Sequence, residues 1–238
     1  MKLIFIRHGD PDYVKDFLTE KGEREAACLA KWIKRFDREV DAYYVSPLGR
    51  ARETCRVCLE PLGKEATVLP WIQEYTGRVY YERLGIEKHA WDFYPGDWTK
   101  DENLFSEKTW QNSPYYNNPS CIDGYRAITD GFDALLAGYG YRREGDIYRT
   151  DWDEHGSYGG TIVIFCHMIA TLSVVAHVTG IAAPLLWHGF FSAPTGVTVI
   201  QSEEREPGTA WFRVRAMGEV AHLLGEGEPI SDSGFFPG

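Results

Sequence analysis

Hydrophobic and polar positions along the chain fall into blocks, and the blocks switch period. KLIFI (2–6) is a short apolar run that breaks directly into Arg7, His8 and Gly9, as a strand covered on both faces does. TEKGEREAACLAKWIKRF (19–36) places Ala26, Leu29, Ala30, Ile33 and Phe36 close to helical period. DAYYVS (41–46) reads as a strand, and PLGRARETCRVCLEPL follows as a helix, with Pro47 suited to its first turn. EATVLP (65–70) predicts a third strand and DGYRAITDGFDALLAGYG (123–140) a helix closed by glycines. TIVIFC (161–166) is the strongest buried strand, and MIATLSVVAHVTG (168–180) is an apolar helix. Two late strands, 195–204 and 209–218, flank REPG, which predicts a hairpin.

This alternation predicts an α/β fold: a three-layer sandwich with a mostly parallel central sheet and an antiparallel edge. Residues 75–122 interrupt it with many tyrosines and tryptophans and few aliphatic residues. They are expected to form an inserted lid or cap within a single domain spanning 1–238, not a second domain. From Gly225 the Gly- and Pro-rich tail is expected to be irregular.

Composition narrows the partners. At 238 residues, 44% hydrophobic and 25% charged, the chain has the make-up of a soluble globular protein. A formal net charge of −10 speaks against a nucleic-acid partner, since affinity for phosphate backbones comes from clustered Lys and Arg. The five cysteines are scattered and odd in number, which fits a reducing compartment and no disulfide framework. Cys55 and Cys58 form a C-x-x-C, but inside a helical segment and without a second pair. The N-terminal apolar run is too short for a signal segment and no stretch approaches a membrane span. A cytoplasmic protein with no membrane partner is expected; nothing in the pattern specifies an oligomeric state.

The candidate chemistry lies at three strand ends. The first strand ends in Arg7-His8-Gly9, the second at Ser46 with Arg50 one helical turn on, the third at Cys166 followed by His167. Ligands of open parallel sheets bind outside the carboxyl ends of the strands. If these strands are neighbours, two arginines and two histidines converge into an electropositive, donor-rich site of the kind that holds phosphate.

IRHG after the first strand, SPLGRARET after the second, WIQEYTG after the third and a His directly after a late apolar strand together resemble the histidine phosphatase superfamily, also called the phosphoglycerate mutase-like family. LTEKGEREA (18–26) is similar to the usual start of that family's first helix, and the likeness runs from Lys2 to about residue 202, apart from the aromatic insertion. The resemblance implies that His8 is the nucleophile that becomes phosphohistidine. It also implies that Arg7, Arg50 and His167 bind phosphoryl oxygens and that Glu74 is the general acid. Two departures stand out. Met168 replaces the usual glycine, which predicts a tighter turn or a more apolar pocket. Asp10 and Pro11 replace the frequent Glu or Gln and stiffen the loop.

The chemistry is coherent in its own right. Phosphoryl transfer spreads charge over three oxygens, so fixed cations and alignment carry most of the catalysis. Arg7 and Arg50 supply forked donors at any working pH. His8 must be unprotonated to attack phosphorus, while His167 is free to carry charge, so the two are expected to titrate apart. Glu74 in an aromatic setting can hold a proton for the leaving group, although Glu82, Glu87 and Asp92 lie nearby in sequence. No H-x-H or H-E-x-x-H spacing is present, and neither metal nor cofactor is expected.

Arg50 and Arg52 point about 200° apart on a helix, so one at most faces the strand end. Trp91 and Trp98 are expected to face substrate while most of the other aromatics pack, and His188 is expected to border the pocket. The partner expected is a small-molecule phosphate ester, hydrolysed without metal. The alternatives are a phosphoglycerate mutase-type transfer, which would need extra cations for a carboxylate, and a non-catalytic phosphate-binding module on the same fold.

Overall fold

The computed structural model describes residues 1–151 and 158–235. The centre of β1 (Lys2–Arg7), from Leu3 to Ile6, is apolar because it is covered twice. Leu3 and Phe5 enter one hydrophobic cluster, Ile4 and Ile6 another on the opposite face. β2 (Pro11–Asp12) and β3 (Phe17–Leu18) make a small hairpin. Thr19 then caps α1 (Glu20–Ile33) by accepting from the Gly22 N–H, with Glu20 and Glu23 favourably placed in the first turn.

β4 (Ala42–Val45) leads to α2 (Gly49–Leu59). Pro47, expected in the first helical turn, stands ahead of it, because Leu48 remains extended as the N-cap. No side chain of the cap satisfies the helix; the Gly49 N–H donates instead to the Asp16 carboxylate at 2.6 Å. β5 (Thr67–Val68) is a two-residue remnant of the strand expected over 65–70. β6 (Arg78–Tyr81), β7 (Ile86–His89) and α3 (Pro95–Trp98) occupy the aromatic segment. α4 (Pro119–Ala137) starts earlier than its apolar pattern, since Asn118 caps it and Pro119 fits its first position.

β8 (Tyr141–Glu144) and β9 (Ile147–Thr150) form a hairpin at Gly145 that the apolar pattern does not announce. β10 (Thr161–Cys166), α5 (Met168–Thr179), α6 (Ala183–Gly189), β11 (Val197–Glu206), β12 (Thr209–Glu219) and α7 (Ala221–Glu226) complete the order.

The main sheet runs β5-β4-β10-β1-β11-β12-β9-β8. Its first four strands are parallel and the remainder antiparallel. The fold is thus α/β with a parallel core, and the antiparallel part extends beyond the expected edge. α1 and α2 cover one face through Leu29, Ile33, Ala51, Cys55 and Cys58. α4 and α5 cover the other through Phe132, Leu136, Leu172 and Val175. Both cysteines of the C-x-x-C are free and buried in this packing. No helix of the described residues is long and apolar enough to cross a membrane.

The aromatic segment feeds the same core. Tyr75, Tyr81, Trp110 and Tyr116 are fully buried, and Trp187 of α6 gathers three of them, stacked on Tyr75 at 4.7 Å, edge-on to Trp110 at 5.5 Å and tilted on Tyr116 at 6.0 Å. Trp110→Ala, which empties the centre of this cluster, is expected to cost about 3–5 kcal/mol. Urea unfolding with an unchanged slope would measure it.

Candidate active site

β10 lies between β4 and β1 in register, with Arg7 opposite Cys166 and Val45 opposite Phe165. The residues that follow, His8, Ser46 and His167, therefore emerge side by side at the carboxyl edge. The strand ladder runs into this corner through His8 N–H to Cys166 O and Ser46 N–H to Phe165 O. The rings of His8 and His167 stand 5.2 Å apart, and both residues are almost wholly buried (1% and 0% exposed). Gly9 is required by close approach: a Cβ there would meet the Gly22 carbonyl of α1 at 2.7 Å.

Each imidazole has one nitrogen fixed. His8 Nδ1 lies 2.7 Å from the Gly9 carbonyl, which can only accept, so Nδ1 carries the proton and Nε2 a free lone pair. His167 Nε2 lies 2.8 Å from Ser46 Oγ, and that hydroxyl accepts from the Leu48 N–H at 3.3 Å. The hydroxyl thereby engages Nε2 and leaves Nδ1 as the ring nitrogen of His167 without a partner among the described residues. Both rings are shifted in the same direction. Burial, with the charges of Arg7 and Arg50, holds both well below the ordinary histidine range, because neither ring has an anionic partner.

The arginines are held from behind. Arg7 donates from Nη1 to the Ser192 carbonyl at 2.5 Å and from Nη2 to the Ser233 carbonyl at 2.9 Å. Arg50 is buried while Arg52 is exposed, so the helix turns Arg50 to the strand end. There Asp16 receives its Nη1 at 2.5 Å, and Tyr13 lies 5.4 Å away over the guanidinium. Arg7 Nε, Arg50 Nε and His167 Nδ1 remain buried with no hydrogen-bond partner among the described residues.

Glu74 reaches the same edge from the loop after β5. Its carboxylate accepts from the Ala170 N–H in the first turn of α5 and from its own neighbour Tyr75, each at 3.0 Å. Burial pushes its pKa up, against those two amides and the two arginines. Of the other acids weighed, Glu82 and Glu87 line a separate surface hollow with Arg78 and Tyr80. Asp92 pairs with Lys88 at 3.1 Å.

Trp91, Trp98 and His188 stand apart from the corner formed by His8 and His167. They line an adjoining cavity of about 620 Å³ together with Met168, Phe191 and Phe235. Met168 joins the two spaces: its sulfur lies 3.8 Å from Arg7 Nη1. The departure at this position thus makes the pocket more apolar.

Several residues of the site carry no sequence signal. Asp16 and Tyr13 belong to a hairpin without a motif, and Thr54 accepts from the Gly9 N–H from one turn beyond Arg50. The tail is strapped along α1 by Arg24–Glu228, by Lys21 to the Pro229 carbonyl and by Ser231 to Asp10, and so delivers Ser233 to Arg7. Residues 236–238 of that tail lie outside the described residues. No group of three or more His, Cys, Asp and Glu side chains among the described residues is placed to hold a metal ion.

Comparison with known proteins gives three kinds of likeness. Residues 3–111 match the family model described as histidine phosphatase superfamily, branch 1. A 2,3-bisphosphoglycerate-dependent phosphoglycerate mutase of Neisseria meningitidis is 32% identical over 99 residues, 37% of this chain and 43% of the mutase. The match thus spans less than half the length of that relative. Among solved structures, a phosphoserine phosphatase of Entamoeba histolytica in complex with phosphoserine superposes with a TM-score of 0.59 at 20% identity, covering 94% of this chain and 99% of that one. The alpha-ribazole phosphatase of Shigella flexneri gives 0.56 at 19% identity, covering 92% and 97%. These two show a shared fold.

Proposed function

We propose that the chain, whose residues 3–111 match the histidine phosphatase superfamily model, is a phosphatase of that superfamily hydrolysing a small phosphomonoester through a phosphohistidine at His8, without metal. The observation that carries this reading is the trio of buried, unpartnered polar atoms beside His8: Arg7 Nε, Arg50 Nε and His167 Nδ1. An unpaired buried polar atom costs about 1–3 kcal/mol; with the ring proton of His167 on Nδ1 all three are donors, best satisfied together by an anion with several acceptor oxygens. A phosphoryl group is such an anion, and its three equatorial oxygens match three fixed donors.

The steps follow from the proton positions. His8 Nε2 attacks phosphorus as the ester P–O bond breaks opposite it, and Arg7, Arg50 and His167 hold the charge that spreads over the oxygens. The departing oxygen takes the proton of Glu74. Water then gives a proton to the Glu74 carboxylate and attacks phosphorus, the P–N bond breaks, and phosphate leaves. Residues 75–122 act as an inserted cap that supplies the leaving-group side. A mutase would need cations for a second anionic group, and the described residues lining the adjoining cavity include no lysine or arginine. A binding module would have no use for a free Nε2 and a proton-holding carboxyl at one sheet edge.

Rapid mixing with p-nitrophenyl phosphate in the presence of a chelator tests the reading. A burst of p-nitrophenolate and an alkali-stable phosphoryl group on the peptide that contains His8 are expected. Steady hydrolysis with no phosphoenzyme, or a phosphoryl group on another residue, would reject it.

A further inference from the structure

In an in-line displacement the leaving group lies on the far side of phosphorus from His8 Nε2, so the space next to Arg7 and Met168 decides which esters fit. That space is the 620 Å³ cavity. Its wall is built largely of rings: Trp91, Phe93 and Trp98 from the aromatic segment, Trp187 and Phe191 from α6 and the loop after it, and Phe235 from the tail. Phe235 meets Phe191 edge-on at 5.2 Å. Among these rings, His188 is set apart as a polar group without a full set of partners. It stacks on Trp98 at 4.9 Å and directs Nδ1 to the Pro184 carbonyl at 2.7 Å. Since that carbonyl only accepts, Nδ1 holds the proton and Nε2 is an acceptor. Nε2 is buried and has no partner among the described residues.

Such a wall discriminates among leaving groups. A sugar brings several hydroxyls that would lose water and find few partners here. A carboxylate-bearing alcohol needs a cation, and the described lining residues include no lysine or arginine. A flat ring gains contact with the aromatic wall, and one donor on its edge satisfies His188 Nε2. We propose that the cavity is a leaving-group subsite for an aromatic alcohol bearing one hydrogen-bond donor, so that the substrates are arylmethyl or aryl phosphomonoesters. This rests on the phosphatase reading of the adjoining site and names its substrate class.

The test compares benzyl phosphate with cyclohexylmethyl phosphate, whose alcohols are close in acidity and bulk and differ in having a π face. In kcat/KM the native protein is expected to favour the benzyl ester about tenfold. A 3-hydroxybenzyl ester should gain about fivefold more. Trp98→Leu is expected to collapse the first ratio and His188→Leu the second. Equal efficiency for the benzyl and cyclohexylmethyl esters would overturn the subsite while leaving the phosphatase reading intact. Failure to hydrolyse these esters or p-nitrophenyl phosphate would overturn the phosphatase reading instead. Calorimetric affinities on the His8→Ala protein, which need no turnover, then decide the subsite: the same preference for the aromatic ester supports it, and no preference rejects it.

Discussion

His8→Ala is expected to lower kcat on any phosphomonoester by on the order of 10,000-fold or more, the loss seen when a covalent catalyst is stripped of its nucleophile. No neighbour can substitute. His167 is the nearest imidazole, but its Nε2 is bonded to Ser46 and its Nδ1 is the atom that holds a phosphoryl oxygen in the proposed site. The loss is one of chemistry, because the backbone around His8 is held independently of its ring. The His8 N–H donates to Cys166 and the His8 carbonyl accepts from Thr195, whatever the side chain. The three unpartnered donors also survive the change, so inorganic phosphate should bind the variant about as well as the native protein. Steady-state rates beside calorimetric phosphate binding measure both halves. A variant that keeps more than a hundredth of the native rate would falsify nucleophilic catalysis by His8.

That corner was largely readable in the sequence because it is written in strands. A strand buried on both faces must be apolar, so the switch to Arg7-His8, to Ser46 and to His167 marks where each strand leaves the sheet. Parallel pairing then sets those switches side by side. Helical geometry alone separated Arg50 from Arg52. What was not readable is held by backbone or by hairpins. The Ser233 carbonyl lies 226 residues from Arg7 in the chain, and a carbonyl gives no residue type to recognise. The cap on α2 is likewise supplied by Asp16, from a different element, which is why the position of Pro47 misplaced the helix start. The β8–β9 hairpin escaped because its burial alternates on short, charged strands. In the aromatic segment, composition could not say which rings pack and which line a cavity. Trp187, outside that segment, decides it by gathering Tyr75, Trp110 and Tyr116 around itself.

Glu74→Gln carries the second large effect, and it is one that depends on the substrate. Glutamine keeps the shape of the side chain and can still accept from the Ala170 and Tyr75 amides through its carbonyl, but it has no proton to give. An alkyl or arylmethyl alcohol is a poor leaving group and needs that proton, so its ester should lose about 100- to 10,000-fold in kcat. p-Nitrophenolate is stable as an anion, and the rate of its release should fall by less than about tenfold. The pH profile gives the same division. A raised carboxyl pKa keeps Glu74 protonated to higher pH than an ordinary glutamate, and a bound phosphoryl dianion nearby raises it further. With the native protein the rate on an alkyl ester should therefore fall as pH rises through that raised value, while His8, held well below the ordinary histidine range, stays ready to attack down to mildly acidic pH. In Glu74→Gln the fall on the alkaline side should vanish and the acidic side should stay where it is. Equal losses on the two classes of ester would mean that Glu74 positions the phosphoryl group instead of protonating what leaves, and Asp92, on the wall of the adjoining cavity, would be the acid to test next.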